Sequence, residues 1–266
     1  MSRPPDGFSP AQRNLLELMG TRLWKPRSPD RTGGEPAAAA PPTSPPPVGE
    51  SAAAVPPPSP SAGDSAAQDS PAPAAPPPEL EALRSAVAAC TACPLHAGRR
   101  QTVFGVGNPN ADWMFVGEGP GEEEDRRGEP FVGRAGKLLD NMMRAMGLDR
   151  DTVYIANIVK CRPPGNRNPS LEEASACIRY LHRQIELIAP RLIVALGAVA
   201  AQRLLDTDQP VGALRGALKH AERLSCPVLV TYHPAYLLRS PGQKRKAWDD
   251  LQLAMREMEA LRAGAR

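Results

Sequence analysis

The distribution of apolar and polar positions changes at about residue 80 of this 266-residue chain. Beyond that point, four short runs rich in Val, Ile and Leu alternate with longer segments in which apolar residues recur at helical spacing. The short runs predict strands at 113–117, 153–159, 192–196 and 228–232. The longer segments predict helices at 79–89, 135–146, 170–188, 198–205 and 243–261.

The alternation of strands and helices predicts the fold class. Strands separated by helical crossovers pair in parallel, and the helices then cover both faces of the sheet. We therefore expect an α/β protein with three layers, α/β/α, around a central four-stranded, mostly parallel sheet. Ligands of such folds bind beyond the carboxyl ends of the strands, so the residues that follow the strands are where chemistry is expected.

Two regions precede this predicted domain, which spans residues 80–266. Of the 32 prolines, 15 lie between Pro36 and Pro78, among Ala and Ser with almost no large apolar residue, and this composition predicts a disordered linker at 26–79. In residues 1–25, apolar residues at helical spacing follow Ser9 and Pro10, which are typical of a helix start. The predicted amphipathic helix is either a marginal one that frays or a docking peptide for another protein.

The charge of the predicted domain is moderately positive. Residues 1–79 hold 6 of the 32 Lys and Arg and 8 of the 29 Asp and Glu, which leaves 26 basic against 21 acidic residues in the domain. Such a balance permits a polyanionic partner and also keeps a protein soluble. Because no apolar run is long enough to span a membrane and the first residues lack a hydrophobic signal core, we expect a cytoplasmic protein with reduced thiols.

The cysteines form a candidate metal-binding set. Cys90 and Cys93 form a C-x-x-C pair, and fifteen residues separate Cys161 from Cys177. Four cysteine thiolates hold either zinc or a 4Fe-4S cluster, and spacing alone does not distinguish these two groups. Cys226 stands apart, and we expect it to pack as a small buried apolar residue.

Three unusual segments follow predicted strands. Gly-Glu-Gly-Pro-Gly occupies 117–121 and leads to Pro-Phe-Val-Gly at 130–133; Asn157 precedes Lys-Cys-Arg-Pro-Pro at 160–164; and His-Pro-Ala-Tyr-Leu-Leu-Arg occupies 233–239. The first segment matches neither the glycine pattern of dinucleotide-binding folds nor a Walker A loop. A nucleotide cofactor is therefore not expected there.

Taken together and in this order, these segments resemble those of the family 4 uracil-DNA glycosylases, the iron-sulfur branch of the uracil-DNA glycosylase superfamily. The resemblance covers about 90–239 and implies the uracil-DNA glycosylase fold. It also implies a hydrolase that cleaves the N-glycosidic bond of deoxyuridine in single- or double-stranded DNA, leaves an abasic site and so initiates base excision repair. A 4Fe-4S cluster, favoured over zinc by the resemblance alone, would bind Cys90, Cys93, Cys161 and Cys177.

The resemblance assigns roles in a uracil pocket. Phe131 would stack on the base, and the Asn157 amide would pair with uracil O4 and N3–H. His233 would donate a hydrogen bond to the developing charge on uracil O2. Glu118 would orient the attacking water or stabilise the cationic sugar. The pocket set is Gly117, Glu118, Gly119, Phe131, Asn157 and His233.

Residues after His233 are expected to contact DNA. Leu237 sits where the superfamily places a side chain that wedges into the duplex. Arg239 and the basic run 244–246 would contact phosphates, as would Lys160, Arg162 and Arg167. We expect a monomer associated with the nucleoid, whose N-terminal helix is a possible site for a repair or replication protein.

Three other interpretations compete with this one. Related uracil-binding proteins trap the sugar covalently through an inserted basic loop with its own histidine, but 160–169 contains no histidine. A non-catalytic nucleic-acid-binding module would lose nothing when His233 or Asn157 is changed. A hydrolase of free nucleotides would need a phosphate cradle or a carboxylate-metal site, and neither pattern is evident.

Overall fold

A computed structural model describes residues 76–264, in which a six-stranded sheet carries helices on both faces. The predicted N-terminal helix at 1–25 lies outside the described residues, as does the predicted linker except for its last four positions. The strands are β1 (Val106–Gly107), β2 (Trp113–Gly117), β3 (Tyr154–Asn157), β4 (Leu192–Leu196), β5 (Leu218–Lys219) and β6 (Val228–Thr231).

The sheet has the order β1-β3-β2-β4-β6-β5. The four inner strands are parallel, while β1 and β5 pair antiparallel at the two edges. The predicted fold class and its four parallel strands are confirmed. The two edge strands were not predicted, because a strand of two residues is too short to carry a periodic pattern.

The inner strands read as continuous apolar runs because both of their faces are covered. Every residue of β2, β3, β4 and β6 is buried. Met114 and Val116 face one apolar core, whereas Trp113 and Phe115 face the other. This alternation along one strand shows that the sheet is the middle of three layers.

The helices begin and end close to the predicted positions. Between residues 76 and 264, no helix is long and apolar enough to cross a membrane. Three short helices, at Glu122–Arg127, Val211–Leu214 and Pro234–Arg239, were not predicted. The α-helices are α1 (Pro78–Ala88), α2 (Glu122–Arg127), α3 (Arg134–Ala145), α4 (Leu171–Ile188), α5 (Ala198–Leu205), α6 (Val211–Leu214), α7 (Pro234–Arg239) and α8 (Lys244–Ala263).

Parallel pairing brings the ends of the inner strands to one edge of the sheet. Gly117 at the end of β2 lies opposite Asn157 at the end of β3, and Leu196 of β4 lies opposite Thr231 of β6. His233 follows Thr231 by two positions. The strand-end segments singled out in the sequence therefore meet at the same edge of the sheet.

Candidate active site

A cleft of about 630 Å³ opens at the carboxyl ends of the parallel strands. The residues around it come from the loop after β2, α2, the loop before α3 and the first turn of that helix, the end of β3, the loop before α4, and the segment that starts α7. It brings together five of the six residues expected in a uracil pocket, with Arg239, expected at DNA, beside them: Glu118, Gly119, Phe131, Asn157 and His233.

Gly117 forms the floor between two of these side chains. A Cβ at this position would lie 2.5 Å from Asn157 Oδ1 and 2.5 Å from Phe131 Cζ. Distances this short do not occur between real Cβ atoms and their neighbours, so any larger residue would push the ring or the amide aside. Gly117 is therefore required by the close approach of Phe131 and Asn157.

Phe131 is held in an unusual backbone conformation. Its φ angle is 56°, which is uncommon for a residue other than glycine. Arg150 donates hydrogen bonds to the carbonyl oxygens of Pro130 and Phe131 and pairs with Asp140 at 2.8 Å. A Cβ at Gly136 would collide with the same Phe131 carbonyl. Arg150 and Gly136, neither marked by a sequence pattern, thus fix the direction of the Phe131 ring.

Asn157 is a buried amide that faces the cleft. Only 2% of the residue is exposed. Four buried side-chain atoms between residues 76 and 264 have no hydrogen-bond partner, and Asn157 Oδ1 is one of them. Of these four atoms, only Asn157 Oδ1 belongs to a residue that lines the cleft. A buried acceptor without a partner costs about 1–3 kcal/mol. The cleft therefore offers a hydrogen-bond acceptor that a bound donor would satisfy.

His233 is a neutral imidazole next to Phe131. The two ring centroids are 5.6 Å apart. Burial, helped by the nearby charge of Arg239, lowers the pKa of His233 to about 4. Because Nδ1 accepts the Ala235 N–H at 3.1 Å at the start of α7, the single proton of the neutral ring lies on Nε2. The ring thus offers a hydrogen-bond donor without a net charge.

A buried ion pair supports the segment that carries His233. Asp250 of α8 is 1% exposed, accepts the Thr231 hydroxyl at 2.8 Å and pairs with the Arg215 guanidinium at 2.9 Å. Arg215 also donates to the Lys246 carbonyl at 2.6 Å. The network joins α8 to the end of β6, two residues before His233. Sequence patterns did not predict it, because its members are far apart in the chain.

Four carboxylates line the cleft, and they differ in what they contact. Glu122 pairs with Arg162, and Glu123 pairs with Arg126. Glu124 accepts the backbone N–H groups of Gly121, Val132 and Gly133 at 2.9–3.1 Å, so it ties the loop after β2 to the loop before α3. Within the described part of the chain, the carboxylate of Glu118 is the only one of the four without an ion pair or a hydrogen bond. Burial raises the pKa of Glu118.

Leu237, expected as a wedge into the duplex, is buried in the structure. It is 0% exposed and belongs to the core between the sheet and α8. The reason is helical geometry, since consecutive residues of a helix point about 100° apart and α7 turns position 237 inward. The next residue, Leu238, is 37% exposed and is one of two exposed large apolar side chains among residues 76–264.

The basic residues expected at phosphates are placed differently from one another. Lys160 is 1% exposed and Lys244 is 7% exposed, so neither side chain lies on the surface. Arg167 forms a two-pronged pair with Glu173 at 2.7 and 2.8 Å. Arg239 is exposed at the rim of the cleft. Arg239 is the basic residue whose position best fits the expectation.

The four cysteines of the candidate metal set line one small cavity beside α1 and α4. Cys90 and Cys93 follow α1, Cys161 follows β3, and Cys177 lies on α4. Cys226 is buried in the same apolar core as expected but does not line this cavity. Segments that are far apart in sequence thus bring four thiols to one place.

Hydrogen-bond donors are directed at the cysteine sulfurs. Arg99 donates to Cys161 Sγ at 3.2 Å, and the Lys160 backbone N–H donates to Cys177 Sγ at 3.3 Å. Burial raises the pKa of Cys177 to about 11, which a bound metal would reverse because a coordinated thiol is deprotonated. No group of three His, Cys, Asp or Glu side chains in 76–264 is gathered to hold a metal ion, so the thiols share a cavity without forming a closed shell.

Comparison with known proteins supports one family. The family model described as the Uracil DNA glycosylase superfamily matches residues 104–252. A Type-4 uracil-DNA glycosylase of Thermotoga maritima is 45% identical over 186 residues, which cover 66% of this chain and 92% of that relative. A Type-4 uracil-DNA glycosylase of Archaeoglobus fulgidus is 42% identical over 179 residues, which cover 65% of this chain and 90% of that relative.

A more distant relative is also found. A Type-5 uracil-DNA glycosylase of Pyrobaculum aerophilum is 32% identical over 157 residues, which cover 52% of this chain and 67% of that relative. The identity to the Type-4 relatives is higher and extends over more of the chain. The resemblance drawn from the strand-end segments is thereby confirmed.

Proposed function

Because the chain belongs to the uracil-DNA glycosylase superfamily, we propose that its cleft hydrolyses the N-glycosidic bond of deoxyuridine in DNA. The products are free uracil and an abasic site, and the reaction opens base excision repair. The enzyme is monofunctional, since the mechanism uses water and needs no lysine nucleophile.

The unpaired Oδ1 of Asn157 is the observation that carries this proposal. Uracil presents an N3–H donor beside its O4 acceptor, and one carboxamide satisfies both atoms. Asn157 Oδ1 accepts a hydrogen bond from N3–H and so gains the partner that it lacks among the described residues. The amide nitrogen of Asn157 donates to O4. Cytosine presents an acceptor at N3 and a donor at N4, so it meets the amide with the wrong polarity. Stacking on Phe131 holds the flipped base in this plane.

His233 stabilises the departing base. When the bond between the sugar C1′ and uracil N1 breaks, the bonding electrons move onto the base and its O2 oxygen becomes negative. The Nε2–H of the neutral imidazole donates to O2, and this hydrogen bond is stronger in the transition state than in the ground state. Because the pKa of His233 is about 4, the ring is neutral at pH 7 and has no additional proton to transfer to the base.

Glu118 directs the water that completes the reaction. It is the carboxylate of the cleft without a partner, and burial raises its pKa, which makes it a better proton acceptor. The water oxygen forms the new bond to C1′, one water proton passes to Glu118, and the other remains on the new hydroxyl. Glu118 then returns its proton to solvent.

DNA lies over the cleft with its phosphates near Arg239. Leu238 replaces Leu237 as the side chain that fills the space left by the flipped base, because it is the exposed leucine of α7.

Both single- and double-stranded DNA are substrates, since the pocket contacts the flipped nucleotide rather than its former partner. A monomer suffices for this arrangement, and substrate in the chromosome places the protein in the cytoplasm with the nucleoid.

The cysteine cavity holds a 4Fe-4S cluster in this proposal. Four thiols around one cavity are the donor set for such a cluster, although zinc takes the same donors, and the choice of iron rests on the resemblance to the iron-sulfur branch. Cys90, Cys93, Cys161 and Cys177 would hold the cluster, which would link the segment after α1 to the loop after β3 and to α4. It would supply no chemistry to cleavage of the glycosidic bond, because that reaction transfers no electrons to a metal.

An end-labelled oligonucleotide with a single uracil tests the proposal. The purified protein, without added divalent metal, should produce strand scission at the uracil only after treatment with hot alkali. Matched oligonucleotides with thymine or cytosine at that position should remain intact. Scission before alkali would contradict a monofunctional enzyme.

The same gel separates the competing functions. A band of DNA covalently linked to protein would favour the covalent-trapping relatives. Retained DNA binding without scission or linkage, from protein with its metal loaded, would favour a binding module and overturn the proposal. The helix predicted at 1–25 lies outside the described residues, and its proposed docking to a repair or replication protein is tested separately by a pulldown with these residues.

A further inference from the structure

Lys160 is a buried amine directly behind the pocket. Although it belongs to the basic segment after β3, it is 1% exposed and cannot reach DNA phosphates. Its Nζ donates to the Asn157 backbone carbonyl at 2.9 Å and to Gln184 Oε1 of α4 at 2.6 Å. Taking an ammonium group out of water is costly unless it is well bonded, so these two contacts hold Lys160 firmly.

Gln184 extends this network through the core. It is 0% exposed, and its Nε2 donates to the Phe104 carbonyl at 3.0 Å and to the Tyr154 hydroxyl at 3.2 Å. Tyr154 is the first residue of β3 and Asn157 is the last. The network therefore contacts both ends of the strand that carries the base-reading amide and anchors them to one helix.

The backbone around Lys160 connects the same strand to the rest of the cleft. Ile158 and Val159 donate their N–H groups to the carbonyls of Gly117 and Glu118 at 2.9 and 3.1 Å. A shift of the Asn157 carbonyl would consequently move the floor of the pocket and the loop that carries Glu118. The Asn157 amide lies beside Gly117, where the absence of a side chain leaves room for it.

We propose that Lys160 and Gln184 form a positioning pair that sets the orientation of the Asn157 amide and thereby the discrimination for uracil. This inference rests on the proposed function. Neither residue touches the base; both act through the Asn157 carbonyl and the frame of β3. The expected consequence of breaking the pair is weaker recognition of the base, with contacts to the DNA backbone kept.

Lys160→Met and Gln184→Met test the pair, with Lys219→Met as the matched control on the distant edge strand β5. Two quantities are measured, inhibition of cleavage by free uracil and the affinity for DNA containing an abasic-site analogue. Both Met variants should raise the inhibition constant of uracil about tenfold, which corresponds to about 1.4 kcal/mol. The affinity for abasic DNA should stay within a factor of about two in all variants, since phosphate contacts are intact.

A rescue variant separates positioning from simple loss of stability. Gln184→Glu keeps an acceptor for Lys160 and loses the donors to Phe104 and Tyr154, so its uracil inhibition constant should lie well below that of Gln184→Met even if its melting temperature falls. If the pair had a merely structural role, the uracil inhibition constants of the variants would instead rise in step with the fall in their melting temperatures. If Lys160→Met does not fold, Gln184→Met alone tests the inference. Gln184→Met leaves Lys160, the sequence neighbour of Cys161, unchanged.

The results distinguish this inference from the proposed function. An unchanged uracil inhibition constant in the folded Met variants would overturn the positioning role while the wild type still cleaves uracil-containing DNA. Equal weakening of uracil and abasic-DNA binding would also overturn it. A wild type that neither cleaves such DNA nor binds uracil would overturn the proposed function itself.

Discussion

The two walls of the cleft contribute to the same site but are supported in different ways. The base wall consists of Phe131 and Asn157; Lys160 and Gln184 lie behind Asn157, and Lys160 also lines the cysteine cavity. The histidine wall consists of His233 and Arg239, and behind it lies the ion pair of Asp250 with Arg215. The support of the base wall borders the four thiols of the candidate metal set, whereas the support of the histidine wall consists of an ion pair between two protein side chains.

This difference separates the parts of the site that act on the substrate from the parts that hold them. Asp250 and Lys160 are buried and have partners, so they fix geometry. The Asn157 Oδ1 atom is buried without a hydrogen-bond partner, which is favourable only when a ligand supplies one. We expect changes at the acting residues to lower the rate most, and changes at the supports to lower stability or one wall's function.

His233→Ala should have the largest effect. Removing a donor to a developing oxyanion lowers a rate about 10²–10³-fold. Single-turnover release of uracil from a labelled oligonucleotide measures the loss, and DNA affinity should be largely kept. His220→Ala, at an exposed position outside the cleft, is the control and should retain the wild-type rate. Similar rates for His233→Ala and the wild type would show that the histidine wall is not catalytic.

Cys161→Ser should damage the base wall more than the histidine wall. If the proposed cluster is bound, loss of one thiolate should remove its visible absorbance and lower uracil release about 10–100-fold, because the loop after β3 loses its anchor. Iron content and absorbance are measured beside the rate. Cys226→Ser changes a buried cysteine that does not line the cavity and should keep the cluster. Full iron in Cys161→Ser would remove this residue from the ligand set.

Asp250→Asn should destabilise the support of the histidine wall. It weakens the pairing of the Arg215 guanidinium in a buried site, and we expect a loss of about 2 kcal/mol in the free energy of unfolding. Urea titration measures this loss. Asp249→Asn makes the same chemical change at the exposed neighbouring position and should alter stability by less than about 0.5 kcal/mol. Equal effects of the two substitutions would argue against a role for the buried pair.

The pH dependence of stability should show the smallest effect. Since the pKa of His233 is about 4 when folded, the unfolded chain binds more protons between about pH 4 and 6.5. The stability due to the neutral buried ring is present above that window and is lost as the pH falls through it. Between pH 7 and 5.5 this loss is about 1 kcal/mol, so the melting temperature of the wild type should fall about 2–5 °C further than that of His233→Gln. Parallel curves would contradict a lowered pKa.

The sequence predicted the parts of the fold that follow a repeating pattern. The four parallel strands were found because continuous burial makes them apolar throughout. The cleft residues were found because they follow strand ends, where the fold leaves an opening, and because their order matched a family. The cysteines were grouped by spacing and resemblance, and the structure places them around one cavity.

What the sequence did not predict depends on side-chain direction and on distant partners. Leu237 was expected outside, but α7 points it into the core and exposes Leu238 instead. Lys160 was expected among phosphates because it sits in a basic segment, yet its side chain turns inward to Gln184. The roles of Arg150 and Asp250 arise from residues that meet only after folding.

The central claim is that Asn157 reads the edge of the base, and Asn157→Asp tests it most directly. The substitution keeps the size of the side chain, removes the donor to uracil O4 and adds an acceptor for the cytosine N4 amino group. Single-turnover cleavage of matched oligonucleotides, with uracil or cytosine at one position, should show at least a tenfold loss on uracil and measurable cleavage of cytosine, which the wild type leaves intact. A variant that cleaves uracil at the wild-type rate and still ignores cytosine would show that Asn157 does not read the base.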